Sequence, residues 1–279
     1  MVELVSPTSL SELRVLAGTG RIIAGGTDLL VQMRAGHDAS HLIDVTNLAD
    51  APPAVTSNGD LVELSALAPV SRVVDELGGR LPGIAASSRV FGSLQIRNRA
   101  TIGGNLANAS PAGDMVPPLV AAEAEVVIDG PDGSRTLPVG ELATGPGRTA
   151  LKPDEWLSLV RVPLPAGEEG FFKLGGRAAM AISIVSLAWR WRRSDDGTLR
   201  DVRLALGAVA PTVVRARQAE AVLEDRQPTA DVVAEAATAL RAGIAPIDDV
   251  RASAWYRREV AGDLLREALA ISKHEGRRG

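Results

Sequence analysis

Sixteen residues from Arg99 to Asp114 (RATIGGNLANASPAGD) place two adjacent glycines, two asparagines, a threonine, a serine and an aspartate in one run with few large side chains. Such a run builds little core. Its backbone can approach a ligand closely, and its donors and acceptors can point at one. Adjacent glycines accept dihedrals that other residues resist and leave N–H groups unshielded. N–H groups gathered in a turn form a concavity suited to phosphate. A second run, Arg21 to Leu30 (RIIAGGTDLL), has the same character: an apolar, strand-like entry, a Gly-Gly turn, then Thr27 and Asp28. Two such runs point to a ligand with more than one phosphate, held from two sides. Neither is a Rossmann fingerprint, which needs G-x-G-x-x-G between a strand and a helix.

The elements that would position these runs are legible from periodicity and punctuation. Thr8 to Ala17 reads as a short amphipathic helix, Arg21 to Ala24 and His41 to Val45 as strands, and Leu29 to Arg34 as a helix or strand. Ala51-Pro52-Pro53-Ala54 breaks the pattern. Leu61 to Ala66 alternates like a strand; Val70 to Leu77 and Leu81 to Val90 read as helices, with Pro82 in a first turn. Leu119 to Ala124 reads as a short helix and Glu125 to Asp129 as a strand, followed by the turn residues Pro131-Asp132-Gly133. The region up to about Pro165 mixes short helices and strands. From Gly167 the texture changes. Leu187, Trp189 and Trp191 alternate with Arg190 and Arg192, Asp195-Asp196-Gly197 reads as a hairpin turn, and Val202, Leu204 and Leu206 alternate on the return. Helices are expected over Val214 to Leu223, Thr229 to Ala242 and Ser253 to Ile271, the last with an apolar stripe of Val260, Leu264, Ala268 and Ile271. Strands followed by helices make a second domain of α+β type.

Composition narrows the chemistry. With 279 residues, 46% of them hydrophobic, the chain can bury the cores of two domains. A net charge of −4 and a pI near 5.5 give no electrostatic case for nucleic acid. Arg190, Arg192 and Arg193 read as a solvated strand face or a partner surface. The absence of cysteine excludes disulfides, a Cys-ligated iron–sulfur cluster and a thiolate nucleophile in this chain. His37, His41 and His274 are not spaced like a metal site, and no Ser-His-Asp arrangement occurs. The N-terminal MVELVSPTSLSEL carries acidic residues rather than a secretory pattern. No run reaches the roughly 18 apolar residues of a membrane span, so the cytoplasm is the default expectation.

The pair AGGTDLL and QIRNRATIGGNLANASPAGD resembles the FAD-binding subunit of the molybdenum hydroxylases. That family includes the medium subunits of carbon monoxide dehydrogenase and of bacterial xanthine, nicotine and quinoline dehydrogenases. The likeness continues through Leu42-Ile43-Asp44-Val45, Leu64 to Val70, Gly207 to Thr212 and Trp255-Tyr256-Arg257-Arg258. It implies an α+β protein: a PCMH-type FAD-binding domain over 1–165, with subdomains of about 1–55 and 56–165 and flavin in the cleft between them. A smaller antiparallel-sheet-plus-helices domain over 168–279 would close over the flavin.

The resemblance also assigns residues. Ala24, Gly25, Gly26, Thr27, Asp28 and Leu29 would hold the FAD pyrophosphate and neighbouring groups, mostly through backbone N–H. Thr101 would reach the flavin–phosphate region, Gly104 and Asn105 would sit at the tight approach, and Asp114, assisted by Ser110, would accept ribityl or ribose hydroxyls. Phe91 would pack near flavin or adenine, and the Leu157 backbone would touch the flavin. Lys173, in FFKLGGR, would place a cation near the ring and favour its reduced anionic form. Read from the residues alone, other roles stay open: AGGTDL as an ordinary strand–turn connection, Asp114 as a helix N-cap, Phe91 as core, Lys173 as a solvated lysine on a strand edge.

By resemblance, then, the chain is the FAD-binding subunit of a heteromeric oxidoreductase and has no catalytic side chain of its own. FAD would be non-covalent. A large molybdenum-cofactor subunit and a small subunit with two [2Fe–2S] clusters would be its partners in a dimer of heterotrimers, and electrons would pass through FAD to an external acceptor. Alternatives from other classes are a self-sufficient flavin oxidase or reductase, a non-redox assembly or binding protein that keeps the fold, and a nucleotide-binding protein of unrelated fold.

Overall fold

The computed structural model describes residues 2–37, 39–77 and 79–275, with side chains to residue 270. The chain opens with β1 (Glu3–Val5), α1 (Leu10–Leu16), β2 (Arg21–Ile23), α2 (Leu29–Arg34) and β3 (His41–Asp44). The three strands form a parallel sheet in the order β1-β3-β2. Ser9 starts α1 as its N-cap, accepting from the Glu12 N–H at 3.2 Å, and Leu13 carries the buried stripe against Ile43, Val45 and Leu48. β4 (Val55–Asn58) and β5 (Leu61–Ser65) follow, then five helices: α3 (Val70–Leu77), α4 (Pro82–Val90), α5 (Leu94–Arg97), α6 (Ile102–Ala107) and α7 (Val116–Ala121).

β6 (Glu125–Gly130) and β7 (Gly133–Pro138) form the hairpin that Pro131-Asp132-Gly133 predicts. After α8 (Val139–Leu142) and the short pair β8 (Ala143–Gly145) and β9 (Arg148–Thr149), β10 (Trp156–Pro163) takes the centre of an antiparallel sheet ordered β4-β5-β10-β6-β7. Its core face is aliphatic: Val160 and Val162 lie beside Val62, Leu64 and Val126, all fully buried. The rest of the chain is β11 (Glu168–Gly175), β12 (Ser183–Arg193), β13 (Leu199–Gly207), β14 (Val214–Arg215), α9 (Arg217–Leu223), α10 (Ala230–Ala242) and α11 (Ala254–Glu275). Its four strands make an antiparallel sheet in sequence order.

The molecule divides into two compact units. The first comprises Met1–Gly78, Gly92–Ala109 and Ala124–Pro163 and holds the first two sheets. The second comprises Gly79–Phe91, Ser110–Glu123 and Leu164–Gly279, so α4 and α7 pack on the C-terminal sheet. In this second unit Val185, Leu187, Trp189 and Trp191 face α9, α10 and α11, meeting Leu223, Leu240 and Leu265. α4 and α7 cover the other face, where Ser186, Ala188 and Gly207 are small; Pro117 of α7 stands 3.1 Å from where a Gly207 side chain would begin. β12 is therefore buried on both faces rather than half-solvated. Its arginines are neutralised in place: Arg190 by Glu169, Arg193 by Glu168 and Arg192 by Asp201.

Three local expectations shift. TIGGN is helical, not an open loop. The short helix expected from Leu119 begins at Val116, because Pro117 and Pro118 occupy first-turn positions where no N–H is needed. Val214 to Leu223 splits into β14 and α9, since Val214 pairs with Leu206 before the helix starts.

Candidate FAD site

In the first unit, β2 ends at Ile23 and the chain turns through Ala24-Gly25. Only glycine fits at position 25: a Cβ there would stand 1.9 Å from the Arg99 carbonyl oxygen. The two glycine-bearing runs thus meet backbone to backbone. Gly26 has φ +70°, the left-handed region that glycine enters without steric cost. Asp28 occupies the N-cap position of α2 without capping it. Among the described residues nothing accepts a hydrogen bond from the N–H of Gly25, Gly26, Thr27, Asp28 or Leu29. Successive N–H groups free of protein acceptors make an anion-binding concavity. Burial pushes the Asp28 carboxyl above its ordinary pKa.

The second run is built differently. Thr101 is the N-cap of α6, its Oγ1 accepting from the Gly104 N–H at 3.0 Å. The Ile102 N–H goes to the Ala68 carbonyl at 3.3 Å and that of Gly103 to Ala66 at 2.7 Å. A Cβ on Gly103 would meet the Ala66 Cβ and carbonyl oxygen at 2.7 Å. These glycines let a helix seat against the chain after β5, and its first N–H groups are already paired. Asn105, one step on, is buried, and its Oδ1 has no hydrogen-bond partner among the described residues. Gln32 of α2 donates to Asn108 Oδ1 at 2.9 Å, tying the ends of the two runs together.

Two cavities adjoin at Ala24, Thr101, Val45 and Leu67. One, of about 300 Å³, has mainly aliphatic walls, with Leu13, Leu48, Gly104, Trp156 and Leu157 among its lining. The other, of about 310 Å³, is polar and basic, lined by Gly25, Thr46, Arg72, Asn98 and Arg99. Glu155 also lines the first; the Arg135 guanidinium beside it holds its pKa down to about 2.

The second unit contains its own polar cluster. Asp114 Oδ2 accepts from Lys173 Nζ at 2.5 Å, and Oδ1 accepts from the Ser183 hydroxyl at 2.7 Å. Both charged side chains are buried. Lys173 also donates to the Val90 carbonyl at 3.3 Å, at the C-terminal end of α4. At the other end of α4, Glu169 accepts from the Gly83 N–H at 3.0 Å. Residues 169 and 173 of β11 thus bracket α4, with each charge at the dipole end that it stabilises. Burial outweighs the lysine in pushing the Asp114 carboxyl above its ordinary pKa. Asp114 does not cap α7, whose N-cap position is Met115.

The comparisons with known proteins address what such a scaffold holds. A family model described as the FAD binding domain in molybdopterin dehydrogenase matches residues 1–165. The chain belongs to the FAD-binding subunits of the molybdenum hydroxylases. A second model, the CO dehydrogenase flavoprotein C-terminal domain, matches residues 170–271. The xanthine dehydrogenase FAD-binding subunit of Escherichia coli O157:H7 is 30% identical, over 90% of this chain and 87% of the relative. The carbon monoxide dehydrogenase medium chain of Hydrogenophaga pseudoflava is 30% identical, over 95% of this chain and 94% of the relative. A solved carbon monoxide dehydrogenase from the same organism, lacking the Mo-pyranopterin moiety of its cofactor, superposes with a TM-score of 0.90 at 95% coverage of both chains.

The residues of this flavoprotein subunit fit the cofactor. The unpaired N–H groups of Gly25–Leu29 suit a pyrophosphate. Asn105 Oδ1 and Trp156 Nε1 are buried polar atoms with no hydrogen-bond partner among the described residues. Of the residues singled out from sequence, Ala24, Gly25, Thr101, Gly104 and Leu157 line the two cavities, with Gly26 to Leu29 in the same turn and Asn105 in the adjoining helix. Phe91, Ser110, Asp114 and Lys173 belong to the other unit. There Phe91 C-caps α4, and Ser110 Oγ accepts from the Ala112 N–H at 3.3 Å.

Ser183 and the Trp156 indole escaped the sequence reading. Nothing local marks Ser183, which lies 69 residues from its partner, and Trp156 reads simply as the apolar start of a strand. His37 and His41 are exposed, His41 pairing with Glu3 at 3.3 Å; the His274 side chain lies outside the described residues. Among the described residues no three His, Cys, Asp or Glu side chains gather as a metal site, and no helix is long and apolar enough to cross a membrane.

Proposed function

We propose that this chain binds FAD non-covalently, with the pyrophosphate on the N–H groups of Gly25 to Leu29 and the Thr27 hydroxyl, and with Thr101, Gly104, Asn105 and Leu157 around the rest of the cofactor. The observation that carries this reading is the run of N–H groups in that turn with no acceptor among the described residues. The family resemblance further assigns Phe91, Ser110, Asp114 and Lys173 to the flavin, and divides the chain into an FAD domain over 1–165 and a C-terminal domain over 168–279. The subunit works in a cytoplasmic complex with a large molybdenum-cofactor subunit and a small [2Fe–2S] subunit, arranged as a dimer of heterotrimers. Bound FAD supplies the step between one-electron donors and an external acceptor. The chain's own residues bind and orient it and set the charge around it. With no cysteine here, iron–sulfur ligation falls to another chain.

Absorbance and fluorescence titration of the chain with FAD, FMN and ADP tests this. Saturable FAD binding with a perturbed flavin spectrum, much tighter than FMN, is expected. No FAD binding, either by the chain alone or when co-expressed with its large and small subunits, overturns it.

A further inference from the structure

We infer that Arg257 is a positioning residue: its guanidinium holds the β-bulge at Ile184 that turns Ser183 onto Asp114, and so sets the Asp114–Lys173 pair that the FAD reading above assigns to the flavin. The inference rests on that reading. All of these residues lie in the second unit. Arg257, in the first turn of α11, is only 3% exposed. Its Nη1 donates to the Ile184 carbonyl at 2.6 Å and to the Ala208 carbonyl at 2.9 Å, and its Nη2 donates to Asp249 Oδ1 at 2.7 Å. Asp249 is itself fixed, accepting from the Arg251 and Ala252 N–H groups at 2.7 and 3.2 Å. The Arg251 N–H, with the Arg257 charge beside it, holds the Asp249 carboxyl down to about 2.

The two carbonyls are not ordinary ladder positions. In the β11–β12 pairing Leu174 opposes Val185 and Gly175 opposes Ser183, so Ile184 is an extra residue. A bulge of this kind re-aims the side chains beside it. Ser183 flanks it at 1% exposure, and its hydroxyl donates to Asp114 Oδ1 at 2.7 Å while Lys173 donates to Oδ2. Ala208 has φ +61°, a conformation uncommon outside glycine, and its N–H donates to the Pro111 carbonyl at 2.8 Å, three residues before Asp114. One guanidinium therefore grips both backbones that bond to the run ending at Asp114. Its planar fork can hold two carbonyls and a carboxylate at fixed angles, which a lysine ammonium on its flexible stem does not. A buried ion pair adds little net stability over well-packed apolar side chains, so fixed geometry is what this one supplies.

The test follows the Asp114 carboxyl by carbon NMR in the flavin-free, full-length chain, its signal assigned with Asp114→Asn. Burial holds its pKa above the ordinary carboxylate value, while Lys173 and the Ser183 bond pull it down. Arg257→Met should therefore shift it upward, Ser183→Ala should do the same, and the two together should shift it little more than either alone. Leu240→Ala, a core truncation on α10, should leave it in place. At a pH between the wild-type and variant values Asp114 is ionised in one protein and neutral in the other, so FAD bound to Arg257→Met should have the higher midpoint potential. An unmoved Asp114 pKa in Arg257→Met, an equal shift in Leu240→Ala, or an unmoved potential overturns the proposal alone. Absence of FAD binding in wild type overturns the functional reading and this proposal with it. Should Arg257→Met not fold, Arg257→Lys, which keeps the charge beside Asp249 without the fork, is expected to shift the pKa the same way; no shift there overturns the proposal equally.

Discussion

The two glycine pairs look alike in sequence and serve opposite ends. At Gly25-Gly26 the backbone turns, one glycine grazes the Arg99 carbonyl, and the following N–H groups have no acceptor among the described residues. At Gly103-Gly104 the backbone is helical, the glycine serves close packing on Ala66, and the N–H groups are already bonded to Ala66 and Thr101. Glycine thus marks a close approach, and only the partner of that approach says whether ligand or protein comes near. The Asp114–Lys173–Ser183 cluster belongs with the second kind: its polar atoms are paired within the protein. Substitution of internally paired groups should register first in stability, and substitution of unpaired groups in binding.

The largest effect is expected for Lys173→Met. It strands a buried carboxylate, and breaking such a pair costs about 3–5 kcal/mol in denaturant unfolding at neutral pH. The folded-state pKa of Asp114 already lies above its unfolded value, and losing the ammonium raises it further. The folded protein then holds the proton more tightly, so the penalty should shrink as pH falls through that raised value. A penalty independent of pH would show that Asp114 is not the group left exposed to the loss.

Gly103→Ala comes next. It drives a methyl into Ala66 and is expected to cost about 1–3 kcal/mol, read as a shift in urea midpoint. A Gly103→Ala protein of wild-type stability would place this pair with the first and erase the contrast. Thr101→Ala removes a helix cap and should cost about 1 kcal/mol, with Thr101→Ser restoring most of it. At the other extreme, Thr27→Ala should leave stability within about 0.5 kcal/mol, because its hydroxyl has no partner among the described residues. Its FAD affinity should fall about fivefold in the same titration. A stability loss without a binding loss would reverse the assignment of the turn.

Much of the scaffold was readable because its signals are local. Ser9 before an apolar stripe, Pro82 in a first turn, Pro131-Asp132-Gly133 and Asp195-Asp196-Gly197 each fix an element boundary within a few residues. TIGGN misled because adjacent glycines suggest a turn, whereas the Thr101 cap and the seat on Ala66 hold a helix there. For Asp114 only the alternative of a helix cap is set aside: an acidic residue before an apolar run could cap, but Lys173 and Ser183 hydrogen-bond its two oxygens and Met115 holds the cap position. Val214 was drawn from helix into strand by its pairing with Leu206.

The sequence by itself determined the two glycine-bearing runs, the family they belong to and, through the lack of cysteine, that this chain offers no thiolate ligand for an iron–sulfur cluster. These follow from residue identity and short spacing. Tertiary structure decided which N–H groups have no acceptor among the described residues, which carboxylate meets which lysine, and that Trp156 and Leu157 wall a cavity beside the first glycine turn. Each depends on partners tens of residues away, and a hydrogen bond or close contact at that separation has no local signature along the chain.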